Sequence, residues 1–376
     1  MRKVRKILLF AVAVIFLCVS AVNVSAREDE NYFEESEWQQ FSSLLPDEVG
    51  DFAGSEKDFF ESVEEKSDIG YIAKSFFNYL GIELSSSLKL FGVLCALVVI
   101  SSVFGSAAVS LSNPTLSTAI RFCSGGAIFA TVIYAQYAHF ERIEGFFSSI
   151  GGLMSAMIPM SAGIWAMGGN VETAGAGTAT LYVMLGVCER LLGGSIIPVC
   201  CVMSVLALCD ALSDEMKTAR MLFAIKRTYN FFSGIVMTLL ISSLGAQTAI
   251  SSAADSTVAR TARMVSGSII PVLGGSVGET LRTVAGGVSY LKTVFGIGGI
   301  LMIFAIVVPV ALSVLLGRVA FLICGGIADT LGCANEARLL DNLGEIYGSM
   351  LAVISVVSVT FILAISIFMR TVVAVA

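Results

Sequence analysis

Long apolar runs alternate with short polar breaks from Leu88 to the C-terminus, and several of these runs are long enough to cross a bilayer. A crossing helix needs about 20 mainly apolar residues at a rise of about 1.5 Å each. The stretches 88–110, 122–139, 231–250, 294–316 and 346–369 approach or exceed that length. Bulk composition agrees, with 56% hydrophobic and 14% charged residues, 36 glycines and a mean hydropathy of +0.86. The expected fold is an all-α polytopic integral membrane protein of about 7–8 transmembrane helices, with kinked or re-entrant segments.

The chain reads as three regions. Residues 1–26 have the form of a signal peptide: basic Arg2, Lys3, Arg5 and Lys6, an apolar stretch over 7–22, and Val24-Ser25-Ala26 ahead of a charged run. An uncleaved first membrane helix is the alternative. Residues 27–87 form an acidic segment outside the cytoplasm, and residues 88–376 the membrane domain. The acidic segment holds much of the negative charge behind the net −6, interleaved with Trp38, Phe41, Phe52, Phe59 and Phe60. Phe59, Phe60 and Val63 have amphipathic-helix spacing, which makes Phe59 and Phe60 candidates for docking a partner or the protein's own outer face. A solvated spacer, or aromatics at the membrane interface, are the other readings.

Charge sets the expected orientation. With 27–87 outside, the run 88–110 enters, 122–139 exits and 146–167 enters. The long run 174–212 then splits at Glu189-Arg190 into an outward and an inward crossing. That leaves Arg121, Lys217, Arg220, Lys226, Arg227, Arg318 and Arg338 inside, as the positive-inside bias requires, and the C-terminus outside. Arg260, Arg263, Arg282 and Lys292 fit this scheme poorly.

An internal duplication is one reading of the second two-thirds of the chain, its copies opening at Ile158-Pro159 and Ile270-Pro271. Pro198, Asp210-Ala211-Leu212, Ala219-Arg220-Met221-Leu222 and Tyr229 recur in order as Pro309, Asp329-Thr330-Leu331, Ala337-Arg338-Leu339-Leu340 and Tyr347. Chance matching within a limited apolar alphabet is the other. Pro159, Pro198, Pro271 and Pro309 interrupt apolar runs and should kink them. The stretch 265–277, with Pro271, Gly274 and Gly275, reads as re-entrant, and Arg263 and Arg282 would anchor its ends at one membrane face. These five residues are the candidate pathway element, with plain kinks and close packing as the alternative. Among ionisable residues near or within the spans, Glu189, Arg190, Asp210 and Arg121 stand out.

Catalytic chemistry finds little material. His139 is the single histidine, placed beside Glu141-Arg142-Ile143-Glu144, so histidine dyads and zinc sites lack members. No Walker-type loop and no C-x-x-C occurs, and the cysteines read as small buried hydrophobes. No cofactor, metal site or nucleic-acid partner is expected.

The order of these features resembles the stage III sporulation protein AE family of endospore-forming bacteria. The resemblance is carried by Arg260-Thr261-Ala262-Arg263, Gly267, Ile270-Pro271-Val272-Leu273-Gly274 and Leu291-Lys292-Thr293-Val294-Phe295-Gly296-Ile297. It implies a permease-like subunit of a channel complex linking mother cell and engulfed forespore, in the mother-cell membrane. The implied partners are other stage III membrane subunits, an ATPase-like protein and ring-forming extracytoplasmic proteins, besides the lipid bilayer. A stand-alone transporter of a small solute and a structural membrane anchor are the competing functions.

Overall fold

The computed structural model describes residues 33, 35–52, 54–110, 114–212, 218–269 and 274–370. The segment read as a signal peptide, 1–26, lies outside them. The described residues are helical nearly throughout, with no strand among them.

The acidic segment folds into two short helices, α1 (Glu35–Leu44) and α2 (Glu56–Lys66), joined through a 3-10 turn at Asp47–Phe52. α2 starts where Ser55 and Asp58 satisfy each other: the Asp58 N–H donates to the Ser55 hydroxyl at 3.3 Å and the Ser55 N–H to the Asp58 carboxylate at 2.8 Å. Hydrogen bonds from the Ser55 hydroxyl and then its backbone N–H hold the Asp58 carboxyl below its ordinary range. Phe59 and Val63, one turn apart, face inward, while Lys57, Asp58, Glu61, Glu64 and Glu65 face out.

Among the described residues, six helical rods follow that are long and apolar enough to cross a membrane. They are α3 (Ile69–Ser110), α4 (Pro114–Met167), the continuous pair α5 (Val171–Val187) and α6 (Gly194–Leu212), α7 (Ala219–Ile269), α8 (Gly274–Thr330) and α9 (Ala334–Arg370). α8 has 57 residues, so it is about 85 Å long against a hydrocarbon layer of about 30 Å. Pro159, Pro198 and Pro309 lie inside α4, α6 and α8.

Among the described residues the rods number six, where about 7–8 crossings were expected, because two polar breaks are helical. At Glu141-Arg142-Ile143-Glu144 the two glutamates point outward, Arg142 reaches across to α3 and α8, and Ile143, Phe146 and Phe147 remain buried, so α4 runs through without a loop. At Glu189-Arg190 the chain forms a π-helical turn, Cys188–Gly193, joining α5 to α6. The Tyr229 hydroxyl from α7 reaches the Leu192 carbonyl of that turn at 3.4 Å. Two crossings disappear together, so every element after Leu212 keeps the side it had in the eight-crossing scheme. α3 also starts at Ile69, well before Leu88, because Ile72, Phe76, Tyr79 and Leu80 make one apolar stripe against Phe304, Val308 and Leu312 of α8.

Two hairpins close with the same C-cap. Gly169 (φ 76°) ends α4 and Gly332 (φ 77°) ends α8 in the left-handed region. The following N–H bonds back to Trp165 O in the first and to Ala328 O in the second, each at 2.9 Å. Antiparallel packing then puts the α1–α2 cap, the 168–170 turn and the end of α9 at one end of the molecule. The end of α6, the start of α7 and the 331–333 turn lie at the other. The two duplicated-looking units are the hairpins α6–α7 and α8–α9, with α7 and α9 parallel through Lys226–Glu345 and Gly245–Ile367.

α4, α8 and α9 form the centre, with most of their apolar stretches buried, while α3, α7 and α5–α6 stand outside. The outer rods expose Phe104, Val183, Val205, Phe231 and Leu239, the surface expected to meet lipid. At the centre, glycines in α8 admit three neighbours. A Cβ on Gly296 would collide with Met369 and one on Gly299 with Met157 at 2.8 Å, and one on Gly298 would lie 2.7 Å from Phe59.

Candidate functional site

Several charged and polar side chains within the rods meet one another between helices. Arg142 of α4 donates to Glu83 of α3 at 2.6 Å and to the Ser313 hydroxyl of α8 at 2.7 Å. Ser313 Oγ also lies 3.0 Å from His139 Nδ1, one turn back along α4. The His139 ring meets Tyr347 of α9 edge-on at 5.2 Å, over the space left by Gly317. About one turn further along α8, Arg318 lies 3.6 Å from Glu345 of α9, which Lys226 of α7 also contacts. At the end of α6, Asp210 accepts from the Ala219 N–H at 3.0 Å and from Asn342 Nδ2 at 3.2 Å, capping the first turn of α7 and tying it to α9.

This polar level joins α3, α4, α6, α7, α8 and α9. In hydrocarbon, where water cannot compete, such contacts fix helix register and rotation. The serine–histidine contact is not an open nucleophile: Ser313 is 1% exposed and its hydroxyl is shared with a guanidinium. Gln136 and Ser204 extend the level, bonding α4 to α6 at 3.0 Å. Among the described residues, no three His, Cys, Asp or Glu side chains converge as a metal site would require.

The sequence-derived candidates fall elsewhere. Phe59 is fully buried inside the chain, its ring centroid 5.0 Å from Phe295 of α8 and within reach of Trp38 and Phe41. The ring packs on the chain's own α8, where Gly298 leaves a groove that accepts it. Phe60 is half-buried against Tyr290 at 5.9 Å. Residues 265–269 finish α7 and 274–277 open α8, so Gly274 and Gly275 are the first residues of a long helix. Pro271 lies outside the described residues, as do the side chains of Arg263 and Arg282, whose backbones belong to α7 and α8. Glu189 lies over Gly151 of α4 on the π-turn, and Arg190 is exposed beside it. The backbone of Arg121 belongs to α4.

Sequence reasoning passed over Glu83, Arg142, Lys226, Arg318 and Glu345 as members of one layer. Their only signal was charge beside or within apolar runs, and the contacts join residues far apart in sequence, as Glu83 and Arg142 are at a separation of 59. Cys188, Cys200, Cys324 and Cys333 are buried as expected, whereas Cys123 and Cys201 are exposed on the rods.

The family model described as stage III sporulation protein AE matches residues 54–372. The stage III sporulation protein AE of Bacillus subtilis (strain 168) is 20% identical over 388 residues, covering 98% of this chain and 97% of its own length. No solved structure matches the chain significantly.

Proposed function

The chain belongs to the stage III sporulation protein AE family and is a multi-pass sporulation protein, and we propose that it acts as the permease-like membrane subunit of a channel complex between mother cell and forespore. In this reading it sits in the mother-cell membrane around the forespore and serves forespore development after engulfment. Other stage III membrane subunits, an ATPase-like protein and ring-forming extracytoplasmic proteins are its partners.

The observation that carries the proposal is the close packing of α4, α8 and α9, whose apolar stretches are mostly buried within the chain. Where α4, α5 and α9 meet, the cavity lined by Met154, Met157, Leu181 and Phe368 measures about 20 Å³, and its walls are almost wholly apolar. That is room for about one water. A solute transporter is expected to carry a binding site at mid-membrane between broken helices. Tight packing of α4, α8 and α9 instead favours a passage assembled between subunits. Pro271, Gly274 and Gly275, flanked by Arg263 and Arg282, are the proposed pathway element at the joint of α7 and α8.

The test pairs two measurements on the full-length protein. Affinity-tagged protein from membranes of sporulating cells should co-purify an ATPase-type subunit and extracytoplasmic partners. The purified protein alone in vesicles should take up no small solute. Solute uptake by the protein alone, with no partner recovered, would favour the transporter and reject the channel-subunit reading.

A further inference from the structure

The part of the polar level shared by α7, α8 and α9 carries more positive charge than its neighbours neutralise. Arg318 is 7% exposed. Its guanidinium lies flat on the backbone of α9 at Gly348, where a Cβ would approach Cζ to 3.0 Å and the terminal nitrogens to 3.1 and 3.3 Å. Among the described residues no hydrogen bond reaches this guanidinium, and its Nε is buried without a partner. The nearest carboxylate oxygen, Glu345 Oε1, is 3.6 Å from NH2, beyond hydrogen-bond range. The other oxygen of Glu345 is taken by Lys226. One carboxylate therefore serves two cations.

Other nearby charges are engaged elsewhere. Asp210 holds the Ala219 N–H and Asn342, Glu83 is paired with Arg142, and Asp341 lies against Gly325, about two turns along α8 from Arg318. A buried guanidinium without hydrogen bonds or full neutralisation is costly, and a bound anion removes that cost. The cluster is open to such an anion on one side, since the Glu345 side chain is 43% exposed.

We propose that this junction binds a phosphate group, with Arg318 and Lys226 as the binding cations and Gly348 as the residue that lets the guanidinium lie in place. The planar donor fork of arginine matches phosphate oxygens, and lysine adds a second, mobile charge. Either the headgroup of an anionic phospholipid or a free phosphate ion supplies that group, and the two are separated by experiment.

The test uses the full-length protein in detergent, with phosphatidylglycerol, phosphatidylcholine and inorganic phosphate as separate probes. Native mass spectrometry counts retained lipid and calorimetry measures phosphate binding. Wild-type protein should retain phosphatidylglycerol in preference to phosphatidylcholine, and Arg318→Gln should weaken that retention about tenfold, the value of one charge-assisted contact. Glu345→Gln should raise retention, because it removes the competing carboxylate; this variant keeps the test decisive even if loss of Arg318 impairs folding. Arg227→Gln, an exposed neighbour, should change nothing. If inorganic phosphate binds with the same dependence on Arg318 and Glu345 while the lipid is not retained, the site stands and its ligand is the free ion. The proposal is overturned if neither probe binds, if Arg227→Gln acts as strongly as Arg318→Gln, or if Glu345→Gln lowers thermal stability without raising retention.

Discussion

Phe59 shows how a side chain in an acidic, water-facing segment becomes core. The ring sits among Trp38, Phe41, Phe52 and Phe295, with the Trp38 indole N–H donating to the Gly54 carbonyl at 2.8 Å to hold the cluster closed. Edge-on aromatic pairs of this kind add to the area they bury. Replacing Phe59 with alanine should cost about 3–5 kcal/mol through lost burial and the cavity left over Gly298. The expected result is a lower melting temperature and rapid proteolysis within residues 33–66, whereas Phe60→Ala, at a half-buried position, should do less. Equal, small effects of both changes would mean that the cap does not depend on this contact. The helix around Phe59 and Val63 was legible in their one-turn spacing. Its docking surface was not, because Phe295 and Gly298 lie more than two hundred residues away and nothing local marks a glycine as a groove.

At the scale of elements, the apolar runs announced the rods, and polar breaks misled about their number. A charged triplet reads as a loop when its residues are taken in order. On a helix, Glu141 and Glu144 share an outer face while Ile143 faces the core, so the helix continues. The polar level was illegible for a related reason: each member looks like an isolated interruption, and only packing brings Glu83 to Arg142 or Arg318 to Glu345. Turn chemistry, by contrast, has a local cause. Gly332 has φ 77° with no heavy atom within 4 Å of where a Cβ would sit, so Gly332→Ala meets a backbone penalty alone, about 1–2 kcal/mol. Gly326, earlier in α8, is also free of neighbours but helical, and Gly326→Ala should stabilise by up to about 1 kcal/mol. Opposite shifts of the melting temperature are the expected outcome. Shifts of the same sign would show that the α8–α9 turn is not held in the left-handed conformation.

At the scale of the whole molecule, six rods and eight crossings make the same assignment for almost every loop, because the two surplus crossings cancel. They disagree at the α4–α5 turn. With eight crossings that turn faces the cytoplasm, on the side of Arg220, Arg227 and Arg338; with six it faces outward, beside the acidic cap. Val171, 69% exposed at the start of α5, reports on that difference, and Leu331, 42% exposed at the α8–α9 turn, reports the opposite end. In a background lacking the native cysteines, Val171→Cys should react with a membrane-impermeant thiol reagent added to intact cells. Leu331→Cys should react only after the membrane is opened, since positive charge marks its end as cytoplasmic. Protection of Val171→Cys in intact cells, with labelling at position 189, would restore separate crossings on either side of Glu189-Arg190. The continuous α5–α6 rod would then be excluded for the membrane-embedded protein. Labelling at 171 with protection at 189 would fix the π-turn inside the membrane and leave α4, α8 and α9 as the closed centre around which any partner subunits must assemble.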